Sequence, residues 1–115
     1  MIRRHGTGKV EVRDQMRGGA GSVAIEHLWR PEEVTAKTRL FARLTLAPGA
    51  GIGFHEHVGE DEVYVILGGS GVVTEDGERT PVTVGDTILT GNGAGHAIEA
   101  IGNEPLVLLA VIMTY

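Results

Sequence analysis

His55, His57 and Glu62 fall within eight residues of one another, and His96 stands on a second strand-like segment downstream. Imidazole nitrogens and a carboxylate oxygen are metal donors, and with no sulfur beside them they suit a borderline or hard divalent ion. Successive side chains on a β-strand point to opposite faces, so His55-Glu56-His57 sends both imidazoles to one side, close enough to share an ion. The turn-like Val58-Gly59-Glu60-Asp61 lets the chain reverse, and Glu62 can return an oxygen to the same point. His55, His57, Glu62 and His96 are therefore the candidate ligands of one mononuclear metal site. Manganese, iron, nickel and zinc all remain candidates, because affinity order does not decide which ion a protein holds in a cell. Four protein donors could saturate a tetrahedral structural zinc. A six-coordinate ion would instead keep two positions for water, O2 or a chelating substrate.

If both histidines face inward, so does Gly53, whose missing side chain would leave space beside the ion. Glu62, Tyr64 and Ile66 share a face of the next strand, and His96, Ile98 and Ala100 share one on a later strand. The expected cavity is lined by the donors, a phenol and branched apolar groups, as a small-molecule pocket would be. Tyr64 is the candidate catalytic residue, able to give bound substrate a proton or a hydrogen bond, although ordinary strand packing is the favoured account of it. Arg43 carries a fork that suits a carboxylate. Its strand, however, has Leu40, Ala42, Leu44 and Leu46 on the apolar face, which points Arg43 to solvent. Glu56 is turned away from the site by the same alternation, and Glu60 falls in the turn.

Short strands must position these groups. Leu40, Ala42, Leu44 and Leu46 alternate with Phe41, Arg43 and Thr45 from Thr38 onward, the period of a half-buried strand. Pro48-Gly49 then makes a turn. Further strands are expected at about 53–57, 62–67, 71–75, 81–84, 87–90, 95–100 and 105–113, separated by Gly-, Asn- and Asp-bearing turns. Asp76-Gly77 is a hairpin signal. Val23 to Leu28 forms an early strand, Pro31-Glu32-Glu33 supports a single helical turn, and residues 1–22 read as an arm of weak periodicity. Strands at this spacing leave no room for crossover helices and predict an all-β sandwich or barrel.

A chain of 115 residues supports one domain with one core. Its 18 glycines are about twice the usual 7% share, which fits an architecture rich in turns. With no cysteine, disulfides, thiolate metal sites and thiol nucleophiles are excluded together, and a reducing cytoplasmic location is expected. Met1-Ile2-Arg3-Arg4 is not followed by an apolar signal core, and the longest apolar run, Leu106 to Met113, is too short to span a bilayer as a helix. The net charge of −5 divides unevenly: residues 1–50 carry +4, whereas residues 51–115 carry −9 with Arg79 as their only cation. An acidic half of this kind is a poor surface for nucleic acid. Gly6-Thr7-Gly8-Lys9 lacks the Ser/Thr and the upstream glycine of a phosphate loop, and Gly91-Asn92-Gly93-Ala94-Gly95 precedes a strand rather than a helix.

With the donors placed on strands, Gly49-x5-His55-x-His57-x4-Glu62-x6-Gly69 resembles the first sequence motif of the cupin family at every defining position. The second motif is matched in part: Gly85, Gly93 and His96 are in place, Gly91 stands where proline is usual, and Ala100 where asparagine is usual. The resemblance covers about residues 38–113. It implies an all-β, single-domain jelly-roll β-barrel over residues 38–115, with residues 1–37 as an N-terminal arm and early strand that pack on the barrel or on a dimer partner. It also implies that the four donors converge on a metal inside the barrel, and that the protein is a homodimer.

Fold membership does not select a function. The expectation is a small soluble metalloprotein that acts on a small oxygen-bearing metabolite through one divalent transition metal. Oxygenase chemistry would need a redox-active ion, and isomerase or lyase chemistry a base beside the substrate. The alternative is a non-catalytic module that binds or senses a small molecule through the metal. The expected partners are a small-molecule ligand and a second copy of the chain, with neither nucleic acid nor membrane.

Overall fold

Alternation between apolar and polar residues produces ten antiparallel strands in a computed structural model that describes residues 1–115. They are β1 (Lys9–Asp14), β2 (Ser22–His27), β3 (Thr38–Leu46), β4 (Gly51–Glu56), β5 (Glu60–Gly68), β6 (Ser70–Glu75), β7 (Glu78–Thr83), β8 (Thr87–Gly91), β9 (Gly95–Ile101) and β10 (Leu106–Thr114). Six form one sheet in the order β1-β2-β3-β10-β5-β8, and four form a second in the order β4-β9-β6-β7. The two sheets face each other as a jelly roll whose ladders do not join into one closed barrel. Leu44 and Leu46 of β3, Leu106 and Leu108 of β10, Ile66 of β5 and Ile98 of β9 are buried in the space between them. Burying one such side chain contributes about 1.5–3 kcal/mol. No helix is long and apolar enough to cross a membrane.

Turn chemistry sets the connections. Asp76 and Gly77 both take positive φ, 50° and 73°, in the two-residue turn that joins β6 to β7, as a hairpin of this twist requires. Pro31–Glu33 is a single 3-10 turn, with the Glu33 carboxylate accepting from the Arg30 backbone N–H at 2.9 Å.

The arm is more ordered than its sequence suggests. Lys9–Asp14 pairs along its whole length with β2, which pairs in turn with β3, so the large sheet gains two strands. The periodicity of β1 is illegible because it is an edge strand with both faces largely exposed, Val10 and Val12 included. After β1 the chain makes a 3-10 turn over Met16–Gly18 and lies against β4, where the Gly51 N–H donates to the Ala20 carbonyl at 2.8 Å.

Candidate metal centre

β4 and β9 bring two of the histidines together by register, since His55 and His96 are cross-strand partners. His57 lies one residue beyond β4. Its backbone nevertheless stays paired, with its N–H donating to the Ala94 carbonyl at 2.9 Å and its carbonyl accepting from the Gly93 N–H at 2.8 Å. Extended backbone therefore continues past the strand's end and keeps His57 on the face of His55. Glu62 comes from β5 in the opposite sheet, so the four side chains meet between the two layers. His57, Glu62 and His96 are buried and His55 is half-buried.

Each imidazole is oriented by a partner on Nδ1. His55 Nδ1–H donates to the Gly53 carbonyl at 2.7 Å, and His57 Nδ1–H to the Glu60 carboxylate at 2.6 Å. Both partners only accept, which leaves Nε2 of each ring with a free lone pair. Thr90 Oγ1 stands 2.8 Å from His96 Nδ1 and can accept in the same way. The Nε2 atoms of His57 and His96 are 3.1 Å apart, and Glu62 Oε1 lies 3.0 Å from each. Glu62 Oε1 is nevertheless a buried oxygen without a hydrogen bond of sound geometry. The ligand atoms of His55, His57, Glu62 and His96 all lie within 4.8 Å of one another, and the set could hold a metal ion. Two imidazole lone pairs about 3 Å from an unpartnered carboxylate oxygen, with His55 close by, are the environment a cation satisfies.

Burial pushes the His55 imidazole below its ordinary value, and the neighbouring His96 and His57 add to this against the Gly53 carbonyl. Glu60 is held down to about 2, first by the Arg39 guanidinium, which grips it at 2.8 and 3.0 Å, and then by His57. Tyr64 is fully buried, stacks on His96 with ring centroids 4.9 Å apart, and lies beside the Glu62 carboxylate. Burial and the Glu62 charge raise its phenol well above the ordinary range, so it is a neutral donor and not a base. A cavity of about 150 Å³ opens beside His55, His57, Glu62 and Tyr64.

Two features differ from the sequence-based expectation. Gly53 leaves no space beside the donors, because a Cβ there would sit 1.9 Å from the Arg17 carbonyl oxygen: the arm fills that position. Glu60 belongs to β5 and not to a free turn, and it orients His57. Arg43 points away from the site, pairing with Glu26 at 2.9 Å. Sequence reasoning missed Thr90, whose link to the site is the β5–β8 register that pairs it with Glu62. It also missed Arg13, Arg17 and Arg39, which line the cavity mouth. The arm's contribution is invisible without the fold.

The family model described as "Cupin domain" matches residues 42–112. The chain is 47% identical over 98 residues to an oxalate-binding protein of Thermotoga maritima, covering 85% of this chain and 81% of that one. It is 33% identical to a gentisate 1,2-dioxygenase of a Ralstonia species, covering 70% of this chain but only 23% of that enzyme. Among solved structures, a predicted oxalate decarboxylase of Thermotoga maritima superposes over 100% of both chains with a TM-score of 0.96 at 43% identity.

Proposed function

The chain belongs to the cupin family, and on that premise we propose that His55, His57, Glu62 and His96 hold one divalent transition-metal ion that fixes a small oxygen-bearing metabolite. A small carboxylate anion is the leading ligand class. One observation carries the reading: Nδ1 partners aim the imidazole Nε2 lone pairs at the place where Glu62 Oε1 is buried without a hydrogen bond. Donors about 2.1 Å from an ion stand about 3.0 Å apart at right angles and about 3.4 Å apart in a tetrahedron. The spacings of 3.0 and 3.1 Å among His57, His96 and Glu62 are short enough for the three to share one ion. The carboxylate class is supported by the relative named for oxalate binding.

A bound ion would supply Lewis-acid polarisation and, if redox-active, O2 chemistry. The chain's own residues do the remainder. Glu60, Thr90 and the Gly53 carbonyl hold the rings, Tyr64 offers its proton as a hydrogen bond to Glu62 or to bound substrate, and the apolar walls limit water. Tyr64 is the proposed catalytic group in this sense. We read residues 38–115 as the barrel that carries the site and residues 1–37 as the arm that closes it.

Binding without turnover is the second reading, and the same relative's name favours it. Metal per chain, measured by elemental mass spectrometry on the wild type and on a His55→Ala/His57→Ala variant, tests the site. Equal metal in the two proteins would overturn it. Oxalate incubated with loaded protein then separates the readings: unchanged oxalate recovered at stoichiometry supports a binding module, whereas its consumption, with or without O2 uptake, supports an enzyme.

We also propose a homodimer. Its support is an apolar line across the outer face of the large sheet, where Phe41, Val111, Val63 and the 68% exposed Leu89 are register partners on β3, β10, β5 and β8. A monomer in sizing experiments at micromolar concentration would sink it.

A further inference from the structure

The arm, and not the barrel, brings an uncommitted positive charge to the site. The cavity beside the metal donors is lined at its mouth by Glu11, Arg13, Arg17, His27 and Arg39. Most of these charges are engaged. Arg39 is bidentate to Glu60, Arg13 lies 3.4 Å from Glu11, and His27 Nε2 lies 2.7 Å from the same carboxylate. Arg17 is the cation at this mouth with no carboxylate partner, and its charge is close enough to be felt by the Tyr64 phenol.

Its position is built. Gln15, Arg17 and Gly18 all take positive φ, 51°, 52° and 80°, a conformation uncommon for non-glycine residues. The Gln15 N–H donates to the Gly21 carbonyl at 2.9 Å and the Gly19 N–H to the Met16 carbonyl at 2.9 Å. The turn is pressed so closely on β4 that side chains are excluded on both sides: a Cβ on Gly19 would stand 2.1 Å from the Gly51 carbonyl oxygen, and one on Gly53 would stand 1.9 Å from that of Arg17. A left-handed arginine held over a cavity of donors is the kind of local cost that persists where function requires it.

We propose that Arg17 is the anion anchor of this site: its guanidinium fork takes one carboxylate of a small dicarboxylate whose other end faces His55, His57, Glu62 and His96. The inference rests on the reading of those four residues as a metal site. Charge supports a dianion, since a divalent ion beside the Glu62 carboxylate leaves one positive charge and Arg17 adds a second. Size agrees, because a cavity of about 150 Å³ is of the size that takes benzene, a ligand of a few heavy atoms.

Oxalate is the probe, titrated calorimetrically into metal-loaded protein at low ionic strength, with formate as the single-carboxylate control. Arg17→Ala is expected to lose roughly tenfold in oxalate affinity, as removal of one charge-assisted bidentate contact does, with little change for formate and unchanged metal per chain. Arg17→Lys should recover part of the loss. Arg17→Gly separates function from folding: glycine suits the left-handed backbone, so its melting temperature should match or exceed that of the wild type while oxalate affinity still falls. Oxalate binding within twofold of wild type in Arg17→Ala and Arg17→Gly would overturn the anchor and leave the metal site standing. A wild type that carries metal yet binds no oxalate would overturn the carboxylate reading together with the anchor, and a wild type without metal would overturn the site itself.

Discussion

Glu60 is the most informative single residue to remove, because its carboxylate touches the site only through another side chain. One oxygen accepts from His57 Nδ1–H at 2.6 Å, and the same carboxylate is gripped by Arg39 at 2.8 and 3.0 Å. In Glu60→Ala the His57 ring, only 1% exposed, would keep a buried N–H without an acceptor, at about 1–3 kcal/mol. The ring can escape this by moving its proton to Nε2, the atom that must be unprotonated to hold a metal. Groups that orient a ligating imidazole are typically worth about 10- to 100-fold in metal affinity, or about 1.4–2.7 kcal/mol. Glu60→Gln should fall between, since its amide oxygen still accepts from Nδ1 but carries no charge. Arg39→Ala is the control. Its guanidinium is about half exposed, the ion pair contributes at most about 1 kcal/mol, and the Glu60–His57 contact survives. Dissociation constants from competition against a chromophoric chelator at pH 7.5 give the ratios directly. Glu60→Ala binding zinc or manganese within twofold of wild type, or Arg39→Ala losing as much as Glu60→Ala, would refute the orienting role.

Thr90→Val keeps the shape of the side chain but removes the acceptor from His96 Nδ1, and chelator competition should show about a tenfold loss of metal affinity. Gly53→Ala must drive the Arg17 carbonyl from 1.9 Å to at least 3.0 Å from the new Cβ, so oxalate affinity should drop and limited proteolysis after Arg17 should accelerate while metal per chain holds. Chelator should lower the melting temperature of the wild type at neutral pH and leave that of His55→Ala/His57→Ala unchanged, because ligand binding to the native state alone adds to stability. Glu33, gripped by Arg3 at 2.8 Å, has its carboxyl lowered from 4.5 to about 2, first by the Arg3 hydrogen bond and then by the Arg30 backbone. A depressed folded-state value means that this contribution is complete above pH 4.5 and fades as pH falls toward 2. The melting-temperature gap between wild type and Glu33→Gln should therefore narrow from pH 6 to pH 3.

The convergence of these side chains was readable from sequence because strand alternation and a glycine turn act over a few residues, and the spacing of His55, His57 and Glu62 records both directly. The eight strands from β3 to β10 were readable for the same reason, within one to three residues at each end. Residues that reach the site through register were not. Thr90 stands beside Glu62 because β8 pairs with β5, and no local pattern carries a pairing across 28 residues. The arm was the larger omission. An edge strand with two exposed faces has no apolar period, and the closeness of Met16–Gly18 to β4 is recorded only in three glycines, Gly19, Gly51 and Gly53, and a glycine alone does not say what fills the place of its side chain. Gly53 was therefore assigned an open space that a backbone carbonyl occupies.

The site also bears on how the two layers stay together. No ladder joins the six-stranded sheet to the four-stranded one, so the space between them is held by side-chain packing and by whatever spans it. His55 and His96 stand on the smaller sheet, whereas Glu62, with Thr90 and Tyr64 behind it, stands on the larger. Across the layers, the Nε2 atoms of His57 and His96 each stand 3.0 Å from Glu62 Oε1. A bound ion would make the same atoms a cross-link between the two sheets. Metal binding would then favour the sheets held at this separation.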